Sequence, residues 1–283
     1  MQFFNKILDT FSPSQAQELN VSHQMYQSKI IKKTIPFFAE KRIVITGASS
    51  GIGKALAFWF LNEGSYVALC GRDINSLNEI GKQFPNQAIS IQCDLGIDIQ
   101  QYDMCTTIIE KLGGERIRGI DILINCAGII FDGDIETTFP QDYDYLMDIN
   151  LRSSFHITQM LIPYLQKAQG CVVNVSSIFG HRPVTGSIGY SMTKAGLEML
   201  TKCMALEVAS TGVRVNAVAP GQTNTNFMRY AGLSESEYDF YKDRVSNNVP
   251  LKVQNLNNSN IQCRRLLQPE EVAKGIIFLC SEK

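Results

Sequence analysis

A tyrosine and a lysine four residues apart, Tyr190 and Lys194, have the types and spacing needed for proton transfer. Four residues are about one helical turn, so on a helix both side chains lie on the same face. A phenol ordinarily ionises near pH 10, and a nearby cation favours the phenolate and lowers that pKa. The pair therefore predicts a general acid or base that works near neutral pH. Tyr238 and Lys242 repeat the spacing, and a solvated helix face is the alternative for either pair.

Composition narrows the class of protein that positions such a pair. The 283 residues are 45% apolar and 19% charged, with a formal net charge of −1, which predicts a folded globular protein without nucleic-acid partners. No apolar run approaches the roughly 18 residues of a membrane span. The eight cysteines include no Cys-x-x-Cys pair, which favours buried reduced thiols and predicts no metal site. Residues 1–11 resemble neither a secretory signal nor an Arg-rich presequence, so a cytoplasmic protein is expected.

Strand-like and helix-like segments alternate from residue 41 onward. This alternation predicts a Rossmann-like, doubly wound α/β fold, in which helices cover both faces of a parallel sheet in three α/β/α layers. One domain over residues 41–283 is expected, after an N-terminal extension at 1–40 with a helix near 14–33. The expected strands are 42–46, 66–70, 88–93, 120–125, 171–176 and 213–218, and the expected helices are near 52–62, 74–84, 99–112, 143–169, 190–210 and 269–280.

A glycine-rich turn, Thr46-Gly-Ala-Ser-Ser-Gly-Ile-Gly53, follows the first predicted strand. Glycines allow a tight turn between a strand and a helix, and the free N–H groups at the helix N-terminus bind phosphate. A glycine cluster alone is a weak signal, but its place between a strand and a helix predicts a dinucleotide site.

Five motifs in order resemble those of the short-chain dehydrogenase/reductase family. The resemblance covers residues 41 to 280 and implies hydride transfer between a nicotinamide cofactor and a carbonyl or alcohol substrate. It also implies a seventh strand after the helix near 269–280, where the sequence ends at Lys283. Six strands are therefore expected in this sequence, and a sequence cut short after Lys283 is the alternative to a six-stranded sheet with an exposed edge. The motifs are Gly47-x-x-x-Gly51-x-Gly53, Asn125-Cys-Ala-Gly128, Asn150, the strand that ends at Ser177, and Pro220-Gly221.

The resemblance implies a role for each residue of the site. Tyr190 is the general acid/base, Lys194 lowers its pKa and binds the nicotinamide ribose, and Ser177 stabilises charge on the substrate oxygen. Ser177 is favoured over Ser176 because it lies thirteen residues before Tyr190 (190 − 177). Asn150 holds a water beside Lys194, and a buried amide that serves backbone groups is compatible with that role. The implied cofactor-binding residues are Gly47, Ser49, Ser50, Gly51, Ile52, Gly53, Arg72, Asp94, Leu95, Asn125, Ala127, Gly128, Tyr190, Lys194, Pro220, Gly221, Thr223 and Thr225.

The end of the second strand indicates which nicotinamide cofactor is used. NAD-dependent relatives place a carboxylate there for the ribose 2′-OH, and by resemblance that position is Gly71. A 2′-phosphate instead needs a cation, which Arg72 supplies, so NADP is favoured over NAD. The alternative is that Arg72, beside Asp73, only caps the next helix.

The substrate side of the sequence is less informative. Residues 221–250 are expected to form a lid, followed by a polar insertion at about 252–263. His181 is expected on a surface loop, with the substrate mouth as the alternative. The lid favours an apolar substrate, although packing onto the domain explains its side chains equally; they are Phe227, Met228, Tyr230, Leu233, Tyr238, Phe240 and Tyr241.

Two further expectations concern assembly and function. The two longest predicted helices, near 143–169 and 190–210, are a candidate dimer face, so a homodimer or homotetramer is expected. The alternative function is a nucleotide-binding regulatory or scaffold protein with weak catalysis, because the family's last strand is missing.

Overall fold

The computed structural model describes residues 37–113, 119–227 and 265–281, with Ser236, Asp239 and the backbone of residues 253–254 and 262–263. The chain divides into two compact units, Met1–Ala39 and Glu40–Lys283, and all described residues except 37–39 belong to the second. The helix expected near 14–33, the lid beyond residue 227, most of the polar insertion and the Tyr238–Lys242 pair lie outside the described residues. Over the described residues, no helix is long and apolar enough to cross a membrane.

Six parallel strands form the centre of the second unit, in the order β3-β2-β1-β4-β5-β6. The chain moves outward from β1 to β3 and then returns to the other side of β1 with β4. The strand order therefore reverses between β1 and β4, and ligands of such sheets bind in the crevice at that point. The strands are Arg42–Thr46 (β1), Tyr66–Gly71 (β2), Ala88–Gln92 (β3), Ile122–Asn125 (β4), Cys171–Val175 (β5) and Arg214–Val218 (β6).

The central strands are buried along their whole length. Every residue of β1, β4 and β5 is buried, as strands require when helices cover both faces of a sheet. Val44 pairs with Leu123, and Ile124 pairs with Val173, so branched side chains lie side by side in the core. The predicted doubly wound α/β fold is confirmed.

Seven helices of the described residues connect or follow these strands. The helix predicted near 143–169 is divided in two by a π-helical turn, Asp148–Arg152. A π turn has i→i+5 hydrogen bonds, and no Gly or Pro within Asp148–Arg152 marks it in the sequence. The helices are Gly51–Asn62 (α1), Ile74–Gln83 (α2), Asp98–Ile108 (α3), Pro140–Met147 (α4), Ser153–Ala168 (α5), Ile188–Val208 (α6) and Pro269–Cys280 (α7).

Smaller differences from the predicted elements have local causes. β4 begins at Ile122 rather than 120, because the Ile120 N–H donates to the Tyr164 carbonyl of α5 and not to a strand. Helix α3 continues as a second π-helical turn, Ile109–Gly113. Within the predicted polar insertion, Val253–Gln254 (β7) pairs antiparallel with Gln262–Cys263 (β8).

Candidate active site

One cavity of about 330 Å³ lies at the carboxyl edge of the sheet. We name its two ends by their residues. The glycine-rich end comprises Gly47, Gly51, Gly53, Arg72 and Asp94, and the tyrosine end comprises Ser177, Phe179, Tyr190, Lys194 and Phe227.

Most of the predicted site residues line this cavity. The two that do not are Asn125 and Asn150. Those that do are Gly47, Ser49, Ser50, Gly51, Ile52, Gly53, Arg72, Asp94, Leu95, Ala127, Gly128, Ser177, Tyr190, Lys194, Pro220, Gly221, Thr223 and Thr225.

The glycine-rich turn lies too close to its neighbours for side chains. A Cβ on Gly53 would lie 2.2 Å from the Gly47 carbonyl oxygen. Gly47 has φ +70°, and its Cβ would lie 2.9 Å from the Ala127 Cα. Ser50, the residue before α1, makes no side-chain hydrogen bond to the first turn of the helix. The backbone at the positive end of α1 therefore meets the cavity, where a pyrophosphate fits.

Two hydrogen bonds tie the ends of β1 and β4 together at this turn. The Thr46 hydroxyl accepts from the backbone N–H groups of Cys126 and Ala127, both at 3.1 Å. Burial raises the pKa of the neighbouring Cys126 thiol to about 12. Cys126 is therefore a protonated part of the cavity wall at neutral pH.

Arg72 and Asp73 have separate tasks at the far side of the glycine-rich end. The Asp73 carboxylate accepts from the Ser76 hydroxyl at 2.6 Å and from the N–H groups of Asn75 and Ser76. These bonds, the Ser76 hydroxyl foremost, lower the pKa of Asp73. Asp73 rather than Arg72 therefore caps α2. Arg72 donates to the Tyr145 hydroxyl at 3.4 Å, and no ion pair among the described residues includes it.

At the tyrosine end, α6 carries Tyr190 and Lys194 on one face, as their spacing predicts. Both are buried, with 6% and 3% of their surface exposed. The Lys194 ammonium donates to the Val175 carbonyl at 2.8 Å and lies 5.6 Å from the centre of the Tyr190 ring. Burial lowers the pKa of Lys194 from 10.5 to about 8.

The two serines after β5 make different contacts. The Ser177 hydroxyl oxygen accepts from the Phe179 N–H at 3.2 Å. The Ser176 hydroxyl donates to the Glu198 carboxylate at 2.8 Å. Successive residues of an extended chain point to opposite sides, which explains why only one of two adjacent serines is committed to α6.

The two asparagines outside the cavity wall hold backbone and strands in place. Asn150, in the π-helical turn, accepts from the Ile129 N–H at 2.8 Å and donates to the Ile129 carbonyl at 2.9 Å. Asn125 donates to Asn174 at 2.8 Å and to Thr158 at 3.2 Å. The water predicted at Asn150 and the cofactor contact predicted at Asn125 stay predictions.

Aromatic and aliphatic side chains surround Tyr190. The Phe179 ring meets the Tyr190 ring edge-on at 6.0 Å, and the Phe227 ring lies 5.9 Å away. The sequence signalled Phe227 as part of an apolar lid but gave no periodic or motif signal for the others. Gly71, the position expected to distinguish NAD from NADP, and Cys126, within the Asn125–Gly128 motif, also line the cavity. Lining residues that were not predicted are Asp73, Cys93, Ile129, Ile130, Ile149, Val175, Ser176, Ile178, Phe179 and Gln222.

The segment that follows β6 crosses the cavity. Thr225 packs against Gly51, since a Cβ at Gly51 would lie 3.0 Å from the Thr225 methyl. The Asn224 N–H donates to the Leu267 carbonyl at 2.7 Å, and the Leu267 N–H donates to the Gln222 carbonyl at 3.0 Å. Residues 222–227, the crossing segment, are thus fastened to the chain just before α7.

His181 and most of the described cysteines lie away from the cavity. His181 is exposed, pairs with Glu198 and does not line the cavity, so the surface prediction holds better than the substrate mouth. The seven cysteines of the described residues are free thiols, and five are buried. No group of three or more His, Cys, Asp or Glu in that part of the chain is placed to hold a metal.

Comparison with known proteins shows the family to which this chain belongs. The short chain dehydrogenase family matches residues 41–235. This chain belongs to that family. As a member of it, the chain is an oxidoreductase that acts on carbonyl or alcohol groups.

Three similar proteins show how far the likeness extends. A 3-oxoacyl-(acyl-carrier-protein) reductase of Thermotoga maritima is 32% identical over 86% of this chain and 91% of its own. Meso-2,3-butanediol dehydrogenase of Serratia marcescens is 29% identical over 87% of this chain and 89% of its own. A 3-ketoacyl-(acyl-carrier-protein) reductase of Brucella melitensis, solved with NADH, is 25% identical with TM-score 0.73, over 86% and 91% of the two chains.

Proposed function

We propose that this chain is an NADP(H)-dependent oxidoreductase in which Tyr190 is the general acid/base. The observation that carries the proposal is that Ser177, Tyr190 and Lys194 line the same cavity as the glycine-rich turn. NADP(H), when bound, supplies or accepts a hydride at nicotinamide C4. The chain then needs to bind the dinucleotide, orient the substrate and move one proton.

The proton is moved by Tyr190. In reduction its phenol donates to the substrate oxygen, and in oxidation its phenolate accepts the proton of the substrate hydroxyl. The Lys194 ammonium, 5.6 Å from the ring centre, favours the phenolate electrostatically. Its bond to the Val175 carbonyl fixes that charge in place while its other hydrogens can reach the ribose hydroxyls.

Ser177 orients the substrate oxygen. Its hydroxyl oxygen accepts from Phe179, which leaves the hydroxyl hydrogen to donate to the substrate. A donor fixed in a water-poor site stabilises the negative charge that develops on that oxygen. Asn150 supports the site through the backbone of Ile129, next to Gly128.

The preference for NADP is supported by the residues that follow β2, at the glycine-rich end of the cavity. Gly71 contributes no carboxylate, and the carboxylate of Asp73 is committed to α2. Arg72 lines the cavity outside any ion pair of the described residues and suits a 2′-phosphate. The cofactor contacts assigned above to the other lining residues belong to the same proposal.

The substrate is proposed to be a small apolar carbonyl or alcohol. Phe179, Phe227 and Ile178 supply apolar walls near Tyr190. The names of the two curated relatives, an oxoacyl reductase and a butanediol dehydrogenase, support a ketone or secondary alcohol. A cytoplasmic location and a homodimer or homotetramer are retained as proposals.

A substrate panel tests the function. The full chain is mixed with NADPH or NADH and with aldehydes, ketones, diketones and 3-oxoacyl thioesters, and absorbance at the dihydronicotinamide band is followed. We expect turnover with at least one ketone and a kcat/KM at least about tenfold higher with NADPH. Binding of NADPH without turnover of any compound would instead favour the regulatory or scaffold function. A preference for NADH would contradict the role of Arg72.

A further inference from the structure

The loop that carries Ser177 is fastened to α6 by a carboxylate that the proposed mechanism does not use. Glu198 lies one helical turn after Lys194 and two turns after Tyr190, on the same buried face of α6. Only 7% of its surface is exposed. Carboxylates are seldom this buried without partners, because burying the charge is costly.

The two oxygens of Glu198 bind the two ends of one short loop. One oxygen accepts from the Ser176 hydroxyl at 2.8 Å, and the other lies 3.1 Å from His181 Nδ1. Ser176 and His181 flank the segment 177–180. Glu198 therefore contacts the chain on both sides of Ser177.

Between these two contacts, residues 177–180 form a tight turn. The Gly180 N–H donates to the Ser177 carbonyl at 2.9 Å, and the His181 N–H donates to the Ile178 carbonyl at 3.1 Å. A Cβ on Gly180 would lie 2.6 Å from the Glu198 oxygen. The turn therefore lies directly against the carboxylate, with no room for a side chain at Gly180.

We propose that Glu198 is a positioning residue that fixes Ser177 relative to Tyr190, acting through Ser176 and His181. The inference rests on the proposed catalytic role of Ser177. Three successive turns of α6 then hold the loop after β5. Tyr190 packs against Phe179, Lys194 binds the Val175 carbonyl, and Glu198 binds both flanks of the turn.

The chemistry of a carboxylate suits this task. One oxygen accepts a hydrogen bond from Ser176 and the other lies within ion-pair distance of His181 Nδ1, so one side chain contacts two points of the loop at once. If the loop moved, the buried charge would lose both partners, which is strongly unfavourable. The native loop position is therefore favoured by the same interaction that satisfies Glu198.

Substitutions of Glu198 and Ser176 test the proposal. Glu198→Ala removes both contacts, Ser176→Ala removes one hydroxyl with little change in volume, and Glu198→Gln keeps an oxygen that accepts from Ser176. Glu207→Ala, at an exposed position of α6, is the matched control. We measure kcat, the KM for NADPH, and amide hydrogen exchange of residues 176–181.

We expect kcat to fall about 100-fold in Glu198→Ala, because small displacements of a reacting group have effects of this order. Ser176→Ala is expected to lose roughly tenfold, and Glu198→Gln to recover most of kcat. In the Glu198 variants the KM for NADPH should stay within about twofold, since Glu198 does not line the cavity. Exchange of 176–181 should rise in Glu198→Ala and Ser176→Ala but not in Glu207→Ala.

The outcomes separate this inference from the proposed function. Faster exchange of the loop with kcat within about twofold of wild type would overturn the positioning role. Unchanged exchange in both Glu198→Ala and Ser176→Ala would also overturn it, whatever the activity. If the unmodified chain turns over no substrate, the proposed function fails, and hydrogen exchange alone then decides whether Glu198 holds the loop.

Discussion

The two ends of the cavity are built from different parts of the chain. The glycine-rich end is made largely of backbone, and its shape depends on side chains that are missing at Gly47 and Gly53. The tyrosine end is made of side chains, whose positions depend on a buried hydrogen bond that Lys194 donates and one that Glu198 accepts. We therefore expect binding at the glycine-rich end to be impaired by substitutions that add atoms. Catalysis at the tyrosine end should instead be impaired by substitutions that remove atoms.

The largest expected effect is the removal of one oxygen at the tyrosine end. Tyr190→Phe should lower kcat by about 10³-fold, because general acid–base catalysis contributes effects of this order. The dissociation constant for NADPH should change little, since the ring and its packing remain. Steady-state kinetics and NADPH fluorescence measure the two quantities. The control is Tyr102→Phe, an exposed tyrosine of α3 that should leave both unchanged; equal losses in the two variants would contradict the assignment.

The converse change adds one carbon at the glycine-rich end. Gly53→Ala would place a Cβ 2.2 Å from the Gly47 carbonyl oxygen, so the turn must shift. NADPH affinity should fall roughly 100-fold, and the free energy of unfolding should fall by about 1–3 kcal/mol, the usual cost of overpacking. Isothermal titration and thermal unfolding measure these effects.

Gly275→Ala is the matched control for this change. Gly275 lies within α7, and apart from its chain neighbours and the backbone of that helix no atom lies within 4 Å of an added Cβ. It should bind NADPH normally and gain about 0.5–1 kcal/mol, because alanine is the better helix former. Similar losses in both variants would show that the glycine turn has no special role.

A third change tests selectivity without disturbing the shape of the glycine-rich end. The nearest atom to a Cβ on Gly71 is the Ser49 hydroxyl oxygen at 3.5 Å, an ordinary contact, so Gly71→Asp should fold. Its carboxylate would repel a 2′-phosphate and accept from a ribose 2′-OH. We expect the ratio of kcat/KM for NADPH to that for NADH to fall about 100-fold. Arg72→Ala should lower the same ratio by weakening NADPH alone, and an unchanged ratio in both variants would refute the assignment.

The smallest expected effect is one of pH. Burial lowers the pKa of Lys194 to about 8, so its ammonium is present below pH 8 and is lost as the pH rises through that value. One charged hydrogen bond to the cofactor is then lost, and NADPH affinity should weaken by roughly tenfold between pH 7 and pH 9.5. Fluorescence titration measures this. Lys194→Met should bind weakly at every pH, and a persistent pH dependence in it would point to another group.

The sequence predicts the glycine-rich end better than the tyrosine end for the same structural reason. Strand β1 has its predicted bounds, Arg42–Thr46, and the glycine turn follows it directly, because these features are local in the chain. Glu198 and Ser176 are 22 residues apart, and their contact depends on how a loop lies on a helix. From composition a glutamate on a helix is expected in water, so nothing local signals its burial.

Asn150 shows a second limit of local patterns. A resemblance to the family identified the residue, but its contacts depend on the π-helical turn Asp148–Arg152. The sequence predicts one unbroken helix there, since no Gly or Pro within Asp148–Arg152 marks the π turn. The bonds from Asn150 to Ile129 could therefore be seen only in the folded chain.

The crossing segment, residues 222–227, affects the order in which the product and the dinucleotide leave the cavity. Two backbone hydrogen bonds to Leu267 fasten it across the glycine-rich end, where Thr225 packs on Gly51. If the dinucleotide binds beneath this segment, as proposed, its release would require those bonds to break, whereas Phe227, at the tyrosine end, would contact the substrate. We therefore expect the product to leave before the spent dinucleotide. The opening of this segment should then limit the rate of turnover.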